Sequence, residues 1–324
     1  MPKIICLGEL LIDFPAAEAD VSLAEAETFT KAPGGAPANV AVGAVRLGES
    51  TGFVGAVGDD PFGDFLAGVL QDADVEISHL ARIPDVRTTL AFIAARSDGR
   101  KDITFYRNPG ADMFLAPEHV DEQYLRSADA LHYGSISRID DRPRAATDRA
   151  RELAREAGLL VSYDPNWRPA LWPDPEAARQ RILEGFENAV VAKVSEEEWE
   201  FVTHTRSLPE GARVLFDRGV ELVVRSEGAN GSSFATPRTA GRVWPFPVEC
   251  VEPTGAGDGQ MACLIVELLK AWRDGVRPGD LADAELERIV RRSNAIGALA
   301  CRQLGAIPAL PTAEQVDQFL DMQE

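Results

Sequence analysis

Hydrophobic and polar positions change period repeatedly along the chain. Short apolar runs alternate with segments whose apolar positions recur every three to four residues. Lys3–Gly8 reads as a strand. Pro37–Leu47 reads as a helix with Val40, Ala41, Ala44 and Val45 on one face and Gly48 closing it. Thr51–Val57 is a strand and about Pro61–Gln71 a helix. Ala128–Tyr133, Leu159–Asp164, Ala189–Val194 and Glu221–Val224 follow as strands. Between them, helices are expected near Arg142–Ala157, Pro175–Phe186, Ser195–Thr203 and Pro209–Arg218. Alternation of this kind predicts an α/β fold with a mostly parallel sheet covered by helices on both faces.

Two regions break the rhythm. Phe14–Lys31 has no strong period, and Thr88–Arg107 alternates, turns at Ser97-Asp98-Gly99 and returns as Asp102–Arg107. Asp-Gly between β-rich runs is a hairpin signal. A hairpin inserted into a βαβ series leaves the main sheet. The two segments, about 14–32 and 88–110, are therefore expected to form a small β flap that closes over a site.

The chain has 324 residues and a net charge of 33 − 52 = −19. The length fits one large domain spanning 1–324. Such an acidic chain is a poor partner for nucleic acid or anionic lipid, so neither is expected. Any anionic substrate must meet a local positive site. The apolar run Met261–Leu269 carries Glu267 and stops at Lys270, too short and too charged to span a bilayer. Cys6, Cys250, Cys263 and Cys301 show no metal-like spacing and read as buried thiols in a reducing compartment. A cytoplasmic location is expected.

The sharpest chemical feature is Glu252-Pro253-Thr254-Gly255-Ala256-Gly257-Asp258. It stands between an expected strand, Pro247–Val251, and an apolar helix, Gly259–Leu269. Glycines at a helix start let amides approach an anion where the helix dipole favours it. Asp258 in the first turn is placed to take a proton from an attacking hydroxyl. Spacing alone fits equally well a glycine-rich helix start whose Asp serves the dipole. The loop is not a Walker motif, because it lacks Gly-Lys-Ser/Thr. Pro33-Gly34-Gly35-Ala36-Pro37-Ala38-Asn39 suits binding of a neutral polyol, or forms a plain turn. Asp13, read at the end of the first strand, could hold sugar hydroxyls or cap a turn.

These motifs, taken together, resemble the ribokinase-like (PfkB) sugar kinases. Gly34–Ala41 with Gly55-Ala56-Val57-Gly58-Asp59-Asp60-Pro61-Phe62-Gly63 is similar to the family's first signature, and Pro253–Asp258 to its second. Gly8-Glu9-Leu10-Leu11-Ile12-Asp13, Phe105-Tyr106-Arg107, Gly134-Ser135-Ile136-Ser137 and the Asp164–Trp172 segment resemble the fructokinase branch. The resemblance implies a ribokinase-like, Rossmann-type sheet with a lid. It also implies transfer of the ATP γ-phosphoryl to a primary sugar hydroxyl, with Mg²⁺ accompanying ATP.

By the resemblance, Asp258 is the catalytic base and Gly255, Ala256 and Gly257 form the anion hole. Asp13, Gly34, Gly35 and Asn39 fall on sugar-binding positions. Arg168 could meet a phosphate or the sugar, and Arg107 could reach the sugar from the flap. Ser195, Ser226, Gly228, Gly231, Thr254 and Asn294 fall on the nucleotide side, with Asn294 open to a purely solvated reading. Glu198 would act on Mg²⁺ through water; an N-capped acidic helix start explains it as well. Relatives commonly carry Asp-Thr where this chain has Glu252-Pro253. That Asp helps hold a monovalent cation, so the K⁺ site is expected to be altered or absent.

Fructose is the first candidate sugar. One rival is a 2-keto-3-deoxygluconate kinase, with Tyr106-Arg107 meeting the carboxylate. Another is a non-catalytic binding scaffold with the same fold. A homodimer through the lid is left open.

Overall fold

The computed structural model describes residues 2–96 and 101–323, so the turn expected at Ser97-Asp98-Gly99 lies outside the described residues. Runs that are mostly apolar, and buried on both faces except at the two edges, line up as a nine-stranded sheet. Its order is β13 (Ala240–Val243), β12 (Ser232–Ala235), β11 (Leu222–Ser226), β10 (Val191–Ser195), β9 (Leu160–Tyr163), β8 (Ala130–Tyr133), β1 (Ile4–Leu7), β4 (Thr51–Gly58) and β5 (Leu80–Ile83). From β11 across to β5 every pair is parallel; β12 and β13 fold back antiparallel at one edge. Helices Ala36–Arg46, Ala256–Arg273 and Asp283–Ala300 pack against one face, where the core includes Cys6, Phe53, Met261 and Ile265. Helices Asp141–Glu156, Pro175–Gly185 and Glu196–Thr203 cover the other, around Tyr133, Tyr163 and Trp199.

The expected flap is a second sheet, ordered β3 (Ala32–Gly34), β2 (Leu11–Pro15), β6 (Leu90–Ala95) and β7 (Lys101–Tyr106). Its strands sit differently from the expectation. The first apolar run divides at Gly8–Leu10, so Asp13 belongs to β2 of the small sheet rather than to the end of β1. Residues 16–31 contribute a bridge between Ala16 and Phe29 instead of a strand. Phe14 stacks on Phe92 and meets Phe62 edge-on, tying the small sheet to the core. Pro247–Val251, expected as a strand, joins no sheet. Pro245 and Pro247 remove amide donors there, and Val251 N–H donates to the carbonyl of Cys301 instead (2.8 Å).

His132 on β8 is buried, with Nδ1 3.1 Å from Ser162 Oγ. Burial depresses its pKa to about 4, only partly opposed by Asp164. The folded protein keeps this imidazole neutral, whereas the unfolded chain protonates near pH 6.5. Stability is therefore lost as pH falls through the unfolded value, and the loss levels off below the folded one. Between pH 7 and 5 it should amount to on the order of 2 kcal/mol. Urea midpoints at the two pH values measure it, and His132→Gln should flatten the difference.

Candidate active site

The carboxyl ends of the parallel strands and the underside of the small sheet enclose a cavity of about 500 Å³. Leu11, Asp13, Ala91, Ile93, Ile103 and Phe105 of the small sheet form its roof. Asp164, Asn166, Lys193 and Asp258 are among the residues of its floor. A second cavity, of about 750 Å³, lies between the turn at Gly228–Gly231 and helices Ala256–Arg273 and Asp283–Ala300. Both are lined by Ser195, Glu197, Ser226, Pro253 and Gly257. The two chambers thus meet at the start of helix Ala256–Arg273.

Gly255 caps that helix with φ 84°, and a Cβ there would lie 2.8 Å from Ala306 Cα, so only glycine makes this turn without strain. The Ala256 N–H is taken by the Pro253 carbonyl (3.2 Å). Of the expected anion hole, the Gly257 amide therefore remains a first-turn donor aimed where an α-helix has no internal acceptors, and the Asp258 amide, not assigned from the sequence, joins it. Ala256 instead lines the second chamber.

Asp258 is buried between two amide side chains. Asn39 Nδ2 donates to one carboxylate oxygen (2.8 Å) and Asn166 Nδ2 to the other (3.2 Å). Burial pushes its pKa up. The Asn39 bond opposes this, Asp164 adds to it, and Lys193 and Arg168 pull it down. Asn39 thus holds Asp258 while its own buried Oδ1 has no partner among the described residues and faces no rival donor. Asp13 lines the roof, and a Cβ on Gly34 would collide with its carboxylate. Gly35 precedes helix Ala36–Arg46 and lines the same chamber.

Four residues emerge here that the sequence reading did not assign. Lys193 and Asp164 form a buried ion pair (Nζ–Oδ2 2.7 Å) on neighbouring strands. Asn166, at φ 44°, turns the chain after β9 and reaches Asp258. Glu9 accepts the Ala36 N–H (3.0 Å), and burial lifts its carboxyl to about 7.

Arg168 lines the first chamber; its Nη1 donates to the carbonyls of Asn166 and Trp167, and among the described residues no carboxylate forms an ion pair with it. Arg107 does not reach the chamber. It is buried against Asp112 (2.7 Å) and Asp140 (2.8 Å), which pair with its Nε and Nη1.

Glu198 caps its own helix by accepting the Ser195 N–H (2.8 Å), and its other oxygen accepts the Trp167 N–H (2.5 Å). It lines the first chamber, and burial with nearby Asp164 raises its pKa. Thr254 lines the same chamber and donates its hydroxyl to Glu252 (2.6 Å). Ser226, Gly228 and Gly231 line the second. So does Asn294, which is not solvated: its Oδ1 accepts from Ser232 (2.6 Å) and Gln260 (3.2 Å).

The second oxygen of Glu252 accepts the Gly305 N–H (2.8 Å), so a hydroxyl and an amide each occupy one oxygen of the carboxylate. The neighbouring carbonyl of Cys301 accepts both Val251 and Glu252 amides. With two amides on it, the Cys301 carbonyl has no lone pair left for a monovalent cation, while the Glu252 carboxylate keeps part of its acceptor capacity. Among the described residues no group of three His, Cys, Asp or Glu is arranged to hold a metal. No described helix is long and apolar enough to cross a membrane.

A polar chamber joined to a second chamber at a glycine-rich helix start suits a phosphotransferase acting on a carbohydrate. Residues 1–313 match the pfkB family of carbohydrate kinases, and the chain belongs to that family. A probable fructokinase-2 of Arabidopsis thaliana is 43% identical over 322 residues, covering 99% of this chain and 96% of the relative. A fructokinase from Xylella fastidiosa, solved with bound ATP, superposes with a TM-score of 0.90 at 31% identity, over 100% and 99% of the two chains. A double-mutant fructokinase from Vibrio cholerae O395, solved with fructose, ADP and potassium, gives 0.85 at 33% identity, over 99% and 98%. The chain is an ATP-dependent sugar kinase with the ribokinase fold.

Proposed function

We propose that the acceptor is fructose and that Asp258 takes the proton from its primary hydroxyl. The observation that carries this reading is the meeting of the two chambers at Pro253 and Gly257, next to Asp258 in the wall of the first. A sugar under the small sheet and a triphosphate from the other side would bring acceptor and donor together there. Held by Asn39 and Asn166, the Asp258 carboxylate is oriented before substrate arrives. The Gly257 and Asp258 amides and the Lys193 ammonium stabilise charge on the transferring phosphoryl group.

Mg²⁺ accompanies the triphosphate and neutralises part of its charge. Without a cage of protein ligands, such an ion keeps most of its waters, which Glu197 and Glu198 on the chamber wall are suited to accept. The 2-keto-3-deoxygluconate reading loses its carboxylate partner, because Arg107 is buried against two acids and Tyr106 is exposed.

A coupled ADP-release assay over a sugar panel tests the reading. Fructose should exceed glucose, ribose and 2-keto-3-deoxygluconate in kcat/KM by at least about tenfold. No ADP release with any sugar would leave a binding scaffold. Turnover in tetramethylammonium buffer should stay nearly flat as K⁺ is titrated, given the two amides on the Cys301 carbonyl and the donors already on Glu252. Asp13→Ala should raise the sugar KM by about tenfold or more with little change in the ATP KM; equal shifts would remove Asp13 from the sugar site.

A further inference from the structure

The four cysteines fall into two pairs of different character. Cys6 and Cys263 are fully buried in the core. Cys250 is exposed and Cys301 half-buried, contrary to the expectation that all four are buried. Both of these line the second chamber. They come from distant parts of the chain, yet the amides of Val251 and Glu252 both donate to the Cys301 carbonyl (2.8 and 3.1 Å). That bonding brings the chain on either side of the two cysteines together, as a disulfide between them requires. The Cys250 side chain is near enough to Cys301 to raise the pKa of its thiol.

We propose that Cys250 and Cys301 are a thiol-oxidation site that a hydroperoxide converts to a disulfide across the wall of the second chamber. The two thiols are not equivalent. Burial, reinforced by the Cys250 contact, pushes the Cys301 thiol up to about 11. Cys250, exposed to solvent, is the thiol that a small oxidant meets first. Its thiolate attacks one peroxide oxygen, the O–O bond breaks, and the other oxygen leaves as water after taking a proton. Cys250 is then a sulfenic acid. The Cys301 sulfur attacks the Cys250 sulfur, the S–S bond forms, and the S–O bond breaks with loss of a second water. In sum, two thiols and one hydrogen peroxide give one disulfide and two waters; the thiols lose two electrons and the peroxide gains them.

The bond would act on nucleotide rather than sugar. Residues 245–250 wall the second chamber on one side, and helix Asp283–Ala300 with Cys301 walls it on the other. Immediately after Cys250 the strap runs through Glu252 into Thr254 and Gly255. A covalent link draws the two walls together and fixes the strap, while the roof residues of the first chamber lie on a different sheet.

The test uses the full chain, reduced, desalted and treated with about equimolar hydrogen peroxide. The intact mass should fall by about 2 Da and two of the four thiols should disappear. The ATP KM should rise by at least about threefold with the fructose KM little changed, and dithiothreitol should reverse both effects. Cys250→Ser and Cys301→Ser should each prevent the mass loss, and each should make the oxidised-to-reduced ratio of ATP KM close to one. Cys6→Ser should behave as the wild type; if it unfolds, peptide mapping of the oxidised wild type gives the same information. Four surviving thiols, a gain of about 16 or 32 Da without a disulfide, or a disulfide that leaves the ATP KM unchanged would each overturn the proposal.

Discussion

Asp258→Asn is expected to lower kcat by on the order of 10²–10⁴ while changing the sugar KM little. The substitution preserves shape but replaces the proton acceptor with an amide. Because Asn39 Nδ2 and Asn166 Nδ2 both donate to the native carboxylate, one of these bonds must be lost in the variant. The fold should tolerate this, since thermal unfolding reports it separately from turnover. A pH profile distinguishes loss of a base from loss of a positioning contact. Burial, with the added charge of Asp164, raises the Asp258 pKa above the ordinary aspartate value. The reactive form is the carboxylate, so kcat/KM should climb as pH rises through that elevated pKa. The acid limb therefore lies higher than an exposed aspartate would put it. In the variant that limb should vanish from the residual rate. Near-normal turnover, or an unchanged acid limb, would assign the base to another group.

Much of the architecture was legible because the chain changes period cleanly. Strands β1, β4, β8, β9, β10 and β11 were each recognised as apolar runs, with ends shifted by one or two residues. The edge strands β5 and β13 are short and partly exposed, and β12, though buried, is four residues that open on two serines, so none carries a comparable run. Pro247–Val251 has strand-like composition, yet a strand needs a ladder partner, and here the amides turn to the end of a helix. The site was legible where its parts are contiguous, as in Pro253–Asp258. It was not legible where they are brought together by the sheet. Asn39 and Asp258 are 219 positions apart. Lys193 and Asp164 pair only because β9 and β10 are neighbours. Arg107 shows the converse. An arginine at a strand end suggested ligand binding, but Asp112, five positions on, was a nearby carboxylate able to claim it.

Lys193→Met is expected to lower kcat/KM for ATP by on the order of 10²–10³, the scale for removing one preorganised charge from a phosphoryl-transfer site. The site offers few cations to a polyanion in a chain of net charge −19. Lys193 is buried, 2.7 Å from Asp164, and a Cβ placed on Gly257 would lie 3.3 Å from its ammonium. The charge therefore sits beside the amides of the helix start. Burial alone would lower its pKa, but Asp164 foremost, then Glu198 and Asp258, outweigh it and raise the value. The ammonium is thus held charged across the working pH range. Removing it also strands the buried Asp164 carboxylate, which should cost about 3–5 kcal/mol of stability. Folding and catalysis must then be separated. Adding Asp164→Asn to the variant removes the orphaned charge and keeps an oxygen to accept the Asn166 N–H (3.2 Å). The double variant should recover most of the lost thermal stability without recovering ATP turnover. Recovery of both would reduce Lys193 to a structural counter-ion, and its role in phosphoryl transfer would have to pass to Arg168, the other basic side chain lining the chamber.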